Sequence, residues 1–341
     1  MARKTVRHKI TSPELIEQIN PDNQDLIDGF LEYLVSVGKS PTTIEAYASD
    51  LNIAFVWCLT ELNNKFFVEW TKRDVQKFQG YLIKHCKLNS CRIRRLKACL
   101  SSLSNYIENI LDDEFPNFRN IINKIESPPK VAAREKTVFT EEEVKMLLDT
   151  LIEQKKYDKA CLVALAAYGG RRKSELVRFK VSDFDDSHLI CEGALYESDF
   201  IKTKGRGVNG KQLQCRTLAK EFKPYFDMWM NYRKEKGIES DWLFYNKENP
   251  NKQMNVSTLN GWYDGFSNIV GKDFYLHSLR HFFCSALIRA GIPASVIKDM
   301  VGWESVEMVD LYSDLSSSES FAKYFGAEGI KKVENKSLND L

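Results

Sequence analysis

Two consecutive prolines, Pro128 and Pro129, set the first limit on how this chain folds. Neither has a backbone N–H, each fixes its own φ, and each pushes the residue before it out of the α region. No helix or central strand therefore runs through them. The residues that follow, Lys130-Val131-Ala132-Ala133-Arg134-Glu135-Lys136, are small or charged and offer little to bury. Residues 127–137 read as an interdomain linker. The 341 residues then divide into two parts, each large enough to hold its own core.

Before the linker the pattern is helical. Residues 1–20 are polar, basic and expected to be flexible; residues 21–126 form a helical domain. Ser40-Pro41 is a helix start, followed by Ile44, Tyr47, Leu51 and Phe55 at helical spacing. Thr71 with Asp74 opens a second helix through Val75, Phe78 and Leu82. A third runs from Ser90 to Ile110, with Leu96, Leu100, Leu103 and Ile107 on one face.

After the linker, Thr140 with Glu143 is a capping box that opens a larger domain, residues 138–330. The helical period lapses between about 188 and 218. Gly205, Gly207 and Asn209-Gly210 supply turn residues there between short apolar runs, which predicts a β-hairpin or small sheet. Residues 331–341 form a polar tail. The expected fold is mainly α: an all-helical N-terminal domain and a mainly helical second domain with a small antiparallel β-sheet.

The longest apolar run, Ala160 to Tyr168, is far short of the ~20 residues that span a bilayer. The basic N-terminus has no apolar segment behind it and is not a secretory signal. Eight scattered cysteines suggest reduced thiols and a cytoplasmic setting rather than a disulfide framework. His85, Cys86, Cys91 and Cys99 lack the paired CxxC spacing of a zinc site, and no metal is expected.

A net charge of +2 says little about partners, so the placement of charge has to be read instead. Lys84, Lys87, Arg92, Arg94, Arg95 and Lys97 fall within one short stretch, with no acidic residue until Glu108. On the helix from Ser90 this gives a cationic face opposite an apolar one, a geometry suited to DNA phosphates. An ordinary solvated helix face is the alternative. Arg3, Lys4, Arg7 and Lys9 form a weaker candidate for a DNA-contacting arm.

Three separated segments and the hairpin carry candidate chemistry. They are Gly169-Gly170-Arg171-Arg172-Lys173-Ser174-Glu175-Leu176, His277-Ser278-Leu279-Arg280-His281, and Gly302-Trp303-Glu304 with Tyr312 nine residues after the tryptophan. The hairpin adds Lys202-Thr203-Lys204-Gly205. This set resembles the tyrosine recombinase (phage integrase) family, in its simple two-domain, Xer/Cre-like form. No single motif is specific; order and spacing together carry the resemblance, which covers about residues 25–325. It implies that the N-terminal helices are a core-binding domain. It further implies that Arg172, Lys204, His277, Arg280 and Trp303 are catalytic and that Tyr312 is the nucleophile, with Glu175 in support. Trp303 replaces the histidine more common after the glycine.

The implied reaction is cleavage and rejoining of double-stranded DNA through a 3′-phosphotyrosine, without metal, cofactor or ATP. Two arginine forks donate bidentately to phosphate oxygens and never lose their charge. A tyrosine of pKa about 10 is only ~0.1 per cent phenolate at neutral pH, so it needs cationic neighbours or a base, for which His277 is the candidate. The hairpin lysine would protonate the leaving 5′ oxygen. Lys202 and Lys211 compete with Lys204 for that role, and Tyr324 competes with Tyr312. His277 with Arg280 could instead be an interhelix hydrogen-bond pair, and Trp303 could be core.

A type IB topoisomerase and a non-catalytic DNA-binding regulator are the alternative functions. Only about twenty residues precede the first helix, too few for an arm-binding domain. That layout is compatible with a phage or mobile-element recombinase acting in integration, excision or resolution. A homotetramer on two duplexes is expected from the resemblance. Phe321, Tyr324 and Phe325, at i, i+3 and i+4, predict a short helical segment that docks on a neighbour.

Overall fold

Side-chain oxygens cap the first six α-helices of this protein. The computed structural model describes residues 10–130, 138–203 and 210–310, with the backbone of 325–326 and 329–330. Those residues divide into two compact units on either side of the 131–137 stretch.

The N-terminal unit holds α1 (Pro13–Ile16), α2 (Pro21–Ser36), α3 (Pro41–Glu61), α4 (Lys72–Lys84) and α5 (Ser90–Ile110). Ser40 Oγ accepts from the Thr43 N–H, with Pro41 at the first helical position of α3. Thr71 and Asp74 exchange two bonds at the start of α4: the Asp74 N–H donates to Thr71 Oγ1, and the Thr71 N–H donates to Asp74 Oδ2. Each such cap satisfies donors that the helix leaves open. Leu51, Phe55, Phe78, Leu82, Leu96, Leu100 and Leu103 meet in one core. Trp57 packs on Phe78 and Phe67 on Trp70, with ring centroids 4.9 and 5.0 Å apart. At ~25 cal/mol per Å² of apolar surface, rings of this size dominate such a core.

The C-terminal unit begins with α6 (Glu141–Glu153), capped by the reciprocal Thr140–Glu143 pair. Then come α7 (Tyr157–Gly169), α8 (Lys173–Leu176), β1 (Leu189–Ile190), β2 (Leu195–Thr203), β3 (Lys211–Leu218), α9 (Ala219–Glu235), α10 (Tyr263–Val270), α11 (Leu276–Arg289), α12 (Ala294–Val301) and α13 (Glu307–Asp310). Every residue from Ala160 to Ala167 is buried, because α7 is packed on several sides by α6, α9 and α11. The apolar run in the sequence is thus a central helix.

β1, β2 and β3 form an antiparallel sheet in that order. Thr203 pairs with Lys211, and the register shifts between Glu197 and Phe200, where a bulge bends the strand. The expected mainly α fold with a small antiparallel sheet is the fold observed.

One expectation fails at the C-terminal end. Phe325 belongs not to a helical turn but to β4 (Phe325–Gly326), which pairs antiparallel with β5 (Gly329–Ile330). Gly326 and Gly329 break the helical period and favour a tight reversal. Phe321 and Tyr324 lie outside the described residues.

Candidate active site and basic surface

The candidate site grows from the left-handed end of α7. Gly170 caps that helix at φ 62°, and a Cβ there would come within 2.3 Å of Phe283 Cδ1. Glycine is required on both counts. The chain then presents two arginines that differ completely in setting. Arg171 turns inward and is 1% exposed, its guanidinium donating to the carbonyls of Gly169, Arg216 and Met300. Arg172 stays partly open, with Nη1 3.0 Å from Glu175 Oε1. Glu175, itself 1% exposed, also accepts the Arg172 backbone N–H at 2.9 Å.

The first turns of α11 supply His277 and Arg280. Arg280 is fully buried; Nη1 donates to the Gly170 carbonyl at 2.8 Å and Nη2 to the Val301 carbonyl at 3.3 Å. Its Nε–H finds no acceptor among the described residues. Burial first, then the nearby charge of Arg172, lowers its pKa to about 10, so it remains a cation at neutral pH. His277 keeps an exposed face, but partial desolvation and the positive charges of Arg280 and Arg172 hold its pKa below the usual histidine value. It is therefore a neutral imidazole at neutral pH. His281 packs edge-on to it, with ring centroids 5.1 Å apart.

α12 ends at Gly302, φ 73°, and delivers Trp303. The indole is buried, and the Arg280 guanidinium lies 5.2 Å from its ring centre. A cation over an indole face is an attractive contact. So Trp303 belongs to the core and to the arginine environment at once.

The hairpin lysines are divided by what the structure describes. Lys202 is exposed near the end of β2, and its carbonyl accepts from Arg178 Nη1. Lys211 opens β3, with Nζ 3.8 Å from Glu304 Oε1. Lys204, Tyr312, Arg3, Lys4, Arg7 and Lys9 lie outside the described residues.

Among the described residues, Asp183, His188 and Asp199 bring potential metal-ligand atoms within 4.8 Å of one another. Both Asp183 oxygens already accept backbone N–H groups, from Lys180 and Asp199. That carboxylate is occupied in holding the loop to β2. Glu175 is the one acid paired with Arg171, Arg172 or Arg280 among the described residues. Among the described residues, the site can therefore cradle an anion and offers no set of acids for a divalent cation.

A sequence profile described as the Phage integrase family matches residues 137–319, and a second, described as Phage integrase, N-terminal SAM-like domain, matches residues 26–117. The chain belongs to the phage integrase family. As such it is a site-specific tyrosine recombinase, an enzyme class that cleaves and rejoins DNA through a tyrosine-linked intermediate. It is 31% identical over 262 residues to the SPbeta prophage-derived recombinase-like protein YomM of Bacillus subtilis, covering 75% of this chain and 74% of that one. With Tyrosine recombinase XerA of Pyrococcus horikoshii the identity is 27% over 305 residues, 86% of this chain and 90% of the relative. Its fold resembles XerH site-specific recombinase bound to palindromic difH substrate in a post-cleavage complex. The TM-score there is 0.68 at 16% identity, over 90% of this chain and 97% of the other.

The recombinase's N-terminal unit corrects the expected basic stripe. Lys97, expected on the cationic face, is 5% exposed; its ammonium donates to the Ile125 carbonyl at 2.5 Å. Desolvation, then Arg94, lowers its pKa. The segment after α5 folds back over this face, which helical periodicity alone does not reveal. Arg94 donates from Nε to the Pro128 carbonyl at 2.8 Å and stays exposed.

Arg92 and Arg95 both engage Asp50, at 2.6 and 3.0 Å. Asp50 is 4% exposed, on α3, and was no candidate in the sequence. Its one signal is an acid next to Leu51 on a helix whose apolar spacing runs through Tyr47 and Ala54. Lys84 and Lys87 are exposed. The recombinase carries no helix, among its described residues, long and apolar enough to cross a membrane.

Proposed function

We propose that this recombinase cleaves duplex DNA by attack of the Tyr312 phenolate oxygen on a scissile phosphodiester. A 3′-phosphotyrosine forms, and the 5′ oxygen leaves as a hydroxyl. Arg172 and Arg280 hold the non-bridging oxygens as negative charge builds at phosphorus, the kind of preorganised donation that is usually the largest catalytic contribution. His277, neutral at the working pH, takes the phenol proton. Lys204 supplies the proton to the leaving oxygen, with Lys202 and Lys211 as alternatives. Trp303 packs Arg280 in place, and Glu175 aims Arg172. Attack by another 5′ hydroxyl reverses the step and rejoins strands, with no need of ATP.

The carrying observation is the grouping of Arg172, His277 and Arg280 within electrostatic reach of one another, with a single paired acid among the described residues. A protein at rest gains nothing from three neighbouring cationic or basic groups. A phosphate bound among them removes the imbalance. The Nε–H of Arg280, which has no acceptor among the described residues, fits the same reading.

Lys84, Lys87, Arg92, Arg94 and Arg95 contact backbone phosphates of the same DNA. The working assembly is a homotetramer on two duplexes in the cytoplasm, exchanging strands in integration, excision or resolution. The test is a nicked duplex built from the DNA that flanks the gene, which traps covalent protein once the cleaved end diffuses away. Adduct with the wild type and none with Tyr312→Phe is expected. Adduct from the Phe variant removes Tyr312 as nucleophile.

A further inference from the structure

Arg171 takes no part in the chemistry assigned above, yet its guanidinium is among the most enclosed groups around the site. Nε donates to the Gly169 carbonyl at 2.7 Å; Nη2 donates to the Arg216 carbonyl at 3.2 Å and to that of Met300. These three carbonyls belong to the end of α7, to β3 and to the last turn of α12. Arg280 spans the next pair, Gly170 and Val301. Two guanidiniums thus cross one gap side by side, with carbonyls 169 and 170 on one bank and 300 and 301 on the other.

Both banks are helix C-termini. Their last carbonyls lack intrahelical donors, and the helix dipole favours a cation beside them. Arg171 alone adds β3, the strand that begins at Lys211 beyond the hairpin tip. We propose that Arg171 is a positioning residue for strand cleavage. It locks the Arg172 turn, the hairpin strand and the Trp303 segment in one register, so that groups from three separate segments meet one phosphate.

This rests on the proposed function above. Only a planar guanidinium has the divergent donors for three carbonyls; a lysine ammonium reaches fewer, and an apolar side chain leaves all three open. With the brace gone the banks relax apart, and about 1 Å of misplacement at a reacting group costs about 100-fold in rate.

Arg233 separates positioning from simple bracing. It is 2% exposed in the same unit and donates to the carbonyls of Trp242 at 3.0 Å and Ser240 at 2.5 Å. It reaches none of the site segments through those bonds. The experiment compares wild type, R171M, R171K, R233M and Y312F on the nicked duplex of gene-flanking DNA. It measures duplex affinity, single-turnover adduct rate and melting temperature, with rates taken well below every melting point.

For R171M the expected result is affinity within about twofold of wild type and an adduct rate lower by about 100-fold, with R171K between. R233M is expected to lose melting temperature but cleave at the wild-type rate. An R171M rate equal to that of R233M overturns the proposal. If R171M does not fold, R171K decides: a rate below R233M supports positioning, and a wild-type rate overturns it. No adduct from wild type, or adduct from Y312F, overturns the underlying reading as well. A normal wild-type adduct, absent in Y312F, confines any failure to Arg171.

Discussion

The arginines of α5 and the two buried arginines of the C-terminal unit are held in opposite ways. In the N-terminal unit the arginines of α5 sit at the surface, and two of them are answered by one buried acid, Asp50. In the C-terminal unit Arg171 and Arg280 are buried with no carboxylate of their own among the described residues, and backbone carbonyls hold them instead. An exposed, paired cation is screened and individually weak. A buried one held by dipoles keeps its full field for whatever anion enters. The lesson is that a count of basic residues says little: six in the stripe leave fewer free charges than the number suggests, and two in the interior carry the stronger field.

The sharpest way to break the contrast lies at the chemistry itself. Tyr312→Phe is expected to abolish covalent adduct while leaving duplex affinity nearly intact, as read by denaturing gels beside gel shifts. Arg280→Met follows: an adduct rate lower by about 10²–10³-fold, the size expected for one lost preorganised donor. A drop under fivefold would place the buried charge outside the reaction.

His277 gives a pH signature. Its pKa lies below the ordinary 6.5, so the neutral base persists as pH falls through that value, and the adduct rate should hold until more acid conditions. The sign for stability is the same: the folded state binds fewer protons than the unfolded one, so this contribution is complete above 6.5 and is lost as pH falls through the lowered value. A rate already halved at pH 6.5 and restored in His277→Gln would contradict it.

In the other unit the effects are smaller. Asp50→Asn should cost about 1–2 kcal/mol in urea unfolding, since two charge-assisted bonds weaken. The mildest comparison uses salt. Lys87→Ala should reduce the slope of log K against log salt by about 0.9, and Lys97→Ala should leave it unchanged because that ammonium is turned inward.

Helix starts were legible because their chemistry is local: Ser40, Thr71 and Thr140 cap helices by bonds that span three residues. The hairpin was legible from glycine spacing. What sequence could not supply was anything made by chain return. Lys97 looks solvent-facing on a helical wheel until residues 122–128 fold across it. Asp50 and Arg92 stand far apart in sequence and are joined only by packing of α3 on α5. At the candidate site the spacing of Arg172 from Glu175 distinguishes it from Arg171, yet nothing in the sequence shows that Arg171 points inward. Phe325 misled because aromatic spacing matched a helix while Gly326 and Gly329 set a reversal.

Two residues with no functional group limit how this enzyme can change. A methyl at Gly170 has to displace the ring of Phe283, which follows Arg280 by three positions on α11. At Gly302 it meets Leu213 of the hairpin at 2.5 Å, on a backbone already in the left-handed region. Both substitutions press on the helices and strand that carry the proposed reactive groups and leave those groups themselves intact. In a genetic selection for loss of recombination, alleles at 170 and 302 should therefore surface beside the arginines, in proteins that accumulate normally and still occupy DNA.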